Sequence, residues 1–187
     1  MNILPRPLLI QGSYIVRPIL VWFMKGDRFV DPIDEQGYYS LLPYGYEKQR
    51  ENVLSPGTFS LERHRLMWLY LKNETPFFTN QAKVLHIAPE QSFIKRFRAM
   101  KNLEYITSDL ESPLADVKAD ICDLPFGDDT FDIVFCNHVL EHIPDDHKAM
   151  SELFRVMKPG GWGILQVPIS YQRDVTYEDE TVTTKEE

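Results

Sequence analysis

From Lys83 onward, short apolar runs alternate with segments of helical period. Val84 to Ile87, Tyr105 to Ser108, the apolar part of Asp120 to Cys136, and Trp162 to Val167 read as buried strands. Helices are predicted around Phe93 to Met100 and from about Asp145 to Met157. This alternation predicts an α/β fold, a parallel sheet with helices on its faces. Upstream the pattern changes. Residues 25–58 are rich in Gly, Pro, Asp and Tyr, as in Asp31-Pro32-Ile33-Asp34, Leu42-Pro43-Tyr44-Gly45-Tyr46 and Ser55-Pro56-Gly57, and read as turns with short strands. Ser60 precedes Leu61, Leu66, Leu69 and Leu71, which predicts a capped helix running to about Asn73. The expected organisation is an N-terminal apolar segment and turn-rich connector over 1–58, an α/β core over 59–173, and an acidic, frayed tail over 174–187.

A chain of 187 residues supports one domain with a sizeable core. Its net charge of −8 repels phosphate backbones, so no nucleic-acid partner is expected. Cys122 and Cys136 fall in or beside predicted strands and supply no disulfide framework, which fits a reducing cytoplasm. Residues 3–24 are mostly apolar, but Pro5, Arg6, Pro7, Gln11, Arg17 and Pro18 interrupt any bilayer-spanning run, and no signal peptide is evident. Within this region Tyr14 to Met24 carries Trp22 and Phe23, and Arg6, Arg17, Lys25 and Arg28 oppose only Asp27. Two readings stand: a helix docked on the domain, or peripheral contact with an anionic surface such as the inner membrane.

The chemistry-bearing stretch runs from Lys118 to Gly161 and contains Asp120-Ile121-Cys122-Asp123-Leu124-Pro125-Phe126, Gly127-Asp128-Asp129, Phe131-Asp132-Ile133-Val134-Phe135-Cys136-Asn137-His138 and Lys158-Pro159-Gly160-Gly161. It resembles the adenine-side half of class I S-adenosylmethionine-dependent methyltransferases of the type 11 group. The likeness extends over about residues 42–180. It implies a Rossmann-like class I methyltransferase sheet with S-adenosyl-L-methionine as cofactor. The implied activity is methyl transfer to a small-molecule, lipid-linked or sugar acceptor. That plan orders seven strands 3-2-1-4-5-7-6, and this chain is expected to stop after the fifth. A non-catalytic or incomplete binding domain is therefore the alternative, with self-association through an exposed sheet edge.

Asp109 follows the strand Tyr105–Ser108, about 20 residues beyond the first strand's loop, the spacing at which an acidic side chain meets a ribose. Leu110 lies beside it. By resemblance, Asp120 accepts from the adenine amino group with the Ile121 backbone alongside. Either carboxylate could instead cap a turn. The family's glycine-rich first loop is absent. In its place stands His86-Ile87-Ala88-Pro89-Glu90, similar to a bacterial subset of type 11-like enzymes. Small Ala88 keeps close approach open, Pro89 removes a donor, and Glu90 is placed to meet the cofactor's ammonium or sulfonium charge. His86 is either a packed strand residue or a contact. Asn137 and His138 would border the transferred methyl, with His138 the base candidate. Glu141 and His142 read as structural. Arg63 or Arg65 is a candidate partner for the methionyl carboxylate.

His138-x-x-Glu141-His142 also has the spacing of inverted zinc peptidases, but Ile143-Pro144-Asp145 breaks any helix just after it. A nicotinamide enzyme would need phosphate-binding glycines. Asp31-x-x-Asp34 sits where a metal knuckle would be plausible, yet without thiols it reads as a turn. No metal is expected.

Overall fold

The computed structural model describes residues 6–45 and 49–169. The expected acidic tail and the first five residues of the chain lie outside the described residues. Two compact units are present: residues 1–80 with 91–96, and residues 81–90 with 97–187.

In the first unit, α1 (Arg6–Met24) contains Pro18. Met24 joins Tyr38 and Leu41 in a small core, with Leu20 and Val21 packed against it, while Val16, Ile19, Trp22 and Phe23 are exposed. No described helix is long and apolar enough to cross a membrane. Two antiparallel hairpins follow, β1 (Lys25–Val30) with β2 (Gly37–Tyr38) and β3 (Leu42–Tyr44) with β4 (Arg50–Leu54). The Asp31–Asp34 segment is a turn, as its residues predict. Buried Asp31 accepts from the Ile33 amide at 2.9 Å, the Thr58 hydroxyl at 2.5 Å and the Ser60 hydroxyl at 3.2 Å. This staple joins two turns distant in sequence. It also diverts Ser60 from the capping role expected of it: the N-cap of α2 (Glu62–Glu74) is Leu61, whose amide donates to His64 Nδ1 at 3.1 Å. A long-range charged acceptor outcompetes the local backbone here.

The second unit holds a five-stranded, wholly parallel sheet in the order β7-β6-β5-β8-β9. The strands are β5 (Ala82–Ile87), β6 (Leu103–Asp109), β7 (Val117–Lys118), β8 (Phe131–Asn137) and β9 (Met157–Gln166). Between them lie α3 (Gln91–Ala99) and α4 (Asp146–Val156). The period-2 alternation of parallel neighbours divides the side chains between two faces. Leu85, Ile87, Val134 and Cys136 pack with Ala149, Leu153 and Val156 of α4. On the opposite face, His86, Tyr105 and Phe135 surround Phe97 of α3. The sheet thus has helices on both faces, as expected. Register breaks only at the start of β9, between the pairs Phe131–Met157 and Ile133–Trp162. A side chain at Gly161 would meet the carbonyls of Asp132 and Lys158, which explains the glycine at this bulge.

Arg155 of α4 anchors the approach to β8. It reaches both Glu152 oxygens at 2.7 Å, the Phe126 carbonyl at 2.8 Å and the Leu124 carbonyl at 3.1 Å. Hydrogen bonds from Arg155, with that of the Leu124 amide, hold the Glu152 carboxyl at about 2, below its ordinary 4.5. A depressed carboxylate stabilises the fold above its unfolded value and loses that contribution as pH falls toward the folded one. Acid unfolding of the wild type should therefore include a component between about pH 4.5 and 2 that Glu152→Gln removes. Circular dichroism over that range checks it.

Candidate functional site

Open parallel sheets bind ligands outside the carboxyl ends of their strands, where loops leave the sheet. Here β5, the central strand, and its neighbour β8 end in residues with left-handed backbone: Ala88 at φ 47° and His138 at φ 56°. Each still continues a ladder. The Ala88 amide donates to the Ser108 carbonyl at 2.8 Å and the His138 amide to the Gln166 carbonyl at 2.7 Å. The chain therefore turns sharply at both strand ends, opening a rim between them. At Ala88 this is the conformation glycine adopts at no steric cost, held instead by the smallest residue that carries a Cβ. Ala88→Gly should raise the unfolding free energy by up to about 1 kcal/mol, less whatever unfolded-state entropy the glycine adds, and Ala88→Val should lower it by about 2 kcal/mol. Thermal unfolding of the pair distinguishes them by sign.

The rim carries the residues singled out in the sequence. Asp109 closes β6, and its Oδ1 accepts from the amides of Glu111 at 2.8 Å and Ser112 at 2.7 Å. That turn fixes the carboxylate at the strand end, and Oδ2 makes no hydrogen bond to a described residue. Leu110 next to it is exposed. Asp120 lies two residues past β7, exposed, with Oδ1 accepting from the Cys122 amide at 2.8 Å. Both aspartates therefore cap turns, one of the two alternatives the sequence leaves for them. Ile121 is buried in the core beneath α4, which leaves only its backbone for a ligand.

Glu90, Asn137 and His86 form one polar cluster. The Asn137 amide donates to Glu90 Oε1 at 3.1 Å, and His86 Nε2 lies 2.7 Å from Glu90 Oε2. His86 Nδ1 is in turn 2.7 Å from the Tyr105 hydroxyl. The His86 ring is fully buried, flanked edge-on by Tyr105 and Phe135. It therefore stands inside the sheet, behind the turn of residues 88–90. Tyr105, read in the sequence only as a strand residue, belongs to the same cluster; only a strand aromatic beside a polar strand histidine could have signalled it. Pro89 sits between Ala88 and Glu90 in a trans chain, half-buried.

His138 Nδ1 lies 3.2 Å from Glu141 Oε1, which fixes the ring and leaves Nε2 as its other polar atom. Glu141 and His142 belong to a 3-10 turn confined to Leu140–His142, so no helix carries both histidines on one face. Among the described residues no group of three or more His, Cys, Asp and Glu is placed to hold a metal ion. Burial, with the Glu141 and Glu90 charges, pushes the Cys136 thiol up to about 12, which keeps it protonated and removes it as a nucleophile. Arg65 is committed within the first unit, donating to the carbonyls of Ser60 at 2.7 Å and Val53 at 3.0 Å.

The donor set is acidic and oxygen-rich, with Glu90, Asp109, Asp120 and Glu141 around two small-residue or turn-held loops. It suits a ligand that brings ribose hydroxyls and positive charge. A phosphate-bearing nucleotide would meet no glycine loop and no cluster of cations there.

The family model described as "Methyltransferase domain" matches residues 71–165. An uncharacterized methyltransferase of Schizosaccharomyces pombe is 34% identical over 88 residues, covering 46% of this chain and 32% of that protein. A demethylmenaquinone methyltransferase of Clavibacter sepedonicus is 49% identical over 45 residues, covering 24% and 18% respectively. The chain thus spans a third or less of the length of these curated relatives. Among solved structures, Haemonchus contortus phosphoethanolamine N-methyltransferase 2 in complex with S-adenosyl-L-methionine superposes with a TM-score of 0.43 at 21% identity, over 56% of this chain and 27% of that one.

Proposed function

Because the chain belongs to the methyltransferase domain family, whose cofactor is S-adenosyl-L-methionine, we propose that it transfers a methyl group to a small-molecule, lipid-linked or sugar acceptor. The observation that carries this reading is the acidic rim at the carboxyl ends of β5, β6 and β8, with Asp109 fixed at its strand end by two backbone amides. When bound, the cofactor supplies an activated methyl group on a sulfonium centre. Asp109 would hold the ribose, with Leu110 against the nucleoside. Asp120 and the Ile121 backbone would face the adenine edge. Ala88, Pro89 and Glu90, with His86 behind them, form the variant of the glycine loop that distinguishes the His-Ile-Ala-Pro-Glu subset. Asn137 and His138 would border the acceptor side, where His138, oriented by Glu141, would take a proton from an acceptor hydroxyl or amine. In-line displacement needs little more than position, so these residues act chiefly by orienting the acceptor.

The exposed Val16, Ile19, Trp22 and Phe23 on α1, with Lys25 and Arg28 nearby, support peripheral contact with an anionic membrane from the cytoplasmic side. A lipid-linked acceptor would be met there.

Calorimetric titration of the chain with S-adenosyl-L-methionine tests the cofactor assignment. Saturable binding with a Kd in the micromolar range is expected. A folded chain that produces no binding heat with either the cofactor or its demethylated product leaves the binding-domain alternative.

A further inference from the structure

His86 is the least expected residue of the sheet: an imidazole with no solvent exposure, on a central parallel strand. A buried polar ring is tolerated only where both nitrogens are satisfied. The structure supplies a partner to each, the Tyr105 hydroxyl at 2.7 Å and Glu90 Oε2 at 2.7 Å. Burial and the Glu90 charge push the Tyr105 phenol well above its ordinary range, so it remains a hydroxyl that donates. With Tyr105 donating to Nδ1, the proton of Nε2 faces the carboxylate. The other Glu90 oxygen accepts from the Asn137 amide at 3.1 Å. Glu90, whose side chain is only 14% exposed, is thus held between His86 Nε2 at one oxygen and the Asn137 amide at the other.

Resting on the S-adenosylmethionine reading above, we propose that His86 and Tyr105 are positioning residues that hold Glu90 as a fixed anion in the ligand loop. This anion sets the preference of the site for the sulfonium cofactor over its neutral thioether product. Pro89 removes a backbone donor from the loop, and a preorganised charge compensates without reorganisation cost. The charge acts in a poorly solvated place, where a pair interaction is several-fold stronger than in water.

The test is the ratio of two dissociation constants, for S-adenosyl-L-methionine and S-adenosyl-L-homocysteine, measured by calorimetry on the full chain. Near-isosteric Glu90→Gln should weaken the sulfonium ligand about tenfold relative to the thioether, since only the former carries the charge at sulfur. Tyr105→Phe, which keeps the ring and removes the donor, should move the same ratio in the same direction by about threefold. A purely structural role would weaken both ligands together and lower Tm with the ratio unchanged, and that outcome overturns the proposal. Wild-type chain that binds neither ligand would overturn the cofactor reading itself and this inference with it. Wild-type binding with a ratio indifferent to both variants defeats only the inference.

Discussion

Asp109→Asn is expected to weaken S-adenosyl-L-methionine binding by about a hundredfold while leaving Tm within about 2 °C of wild type. The two effects separate because the two oxygens do different work. Oδ1 accepts the Glu111 and Ser112 amides, a function the asparagine carbonyl keeps. The second position becomes an amide that can no longer accept from a ribose hydroxyl, and the charge is gone. Two hydrogen bonds to a charged acceptor, at roughly 1.5 kcal/mol each, give that factor. Asp109→Ala would remove both functions and so confound the turn with the ligand. Calorimetry and thermal unfolding on the same preparation distinguish the cases.

The largest stability effect should come from Phe135→Ala. Phe135 is fully buried on β8, with ring contacts to His86, Phe97 and Trp162. Truncation removes the aromatic payload and leaves a cavity lined by rings that cannot collapse, a loss of about 3–5 kcal/mol. Against a total stability of about 5–15 kcal/mol, that is enough to populate unfolded chain near physiological temperature. It should also release the His86 ring, so cofactor affinity should fall even in the folded fraction. Urea unfolding followed by far-ultraviolet circular dichroism reads the first effect.

The parallel sheet was legible because its strands announce themselves: Val84 to Ile87 and Phe131 to Cys136 are apolar runs broken only by His86 and Asp132, as expected of strands buried on both faces. β7 was not, because Val117–Lys118 is too short to carry a period and is defined only by its pairing with Ser108 and Asp109. β9 begins at Met157 rather than Trp162, and Pro159 and the two glycines that hid its start make the bulge that shifts its register. The Asp145 cap of α4 was readable as a local signal, accepting from the Lys148 amide at 2.9 Å. Ser60 misled because its true partner, Asp31, lies 29 residues away. Among the candidate site residues, Asp109 could be placed from spacing and Asp120 from resemblance to the family. The partnership of Glu90 could not, because Asn137 is 47 residues distant and Tyr105 reaches His86 only across the sheet. Patterns of period reveal elements, whereas networks that tie loops together depend on tertiary approach.

The most direct test of the central claim is amide chemical-shift mapping of the isotope-labelled chain during titration with S-adenosyl-L-methionine. Saturable shifts at Ala88, Glu90, Asp109, Leu110, Ile121 and Asn137, converging on one Kd, are the predicted result. Shifts confined to residues away from the carboxyl ends of β5, β6 and β8, or none from a folded chain at millimolar ligand, would contradict it.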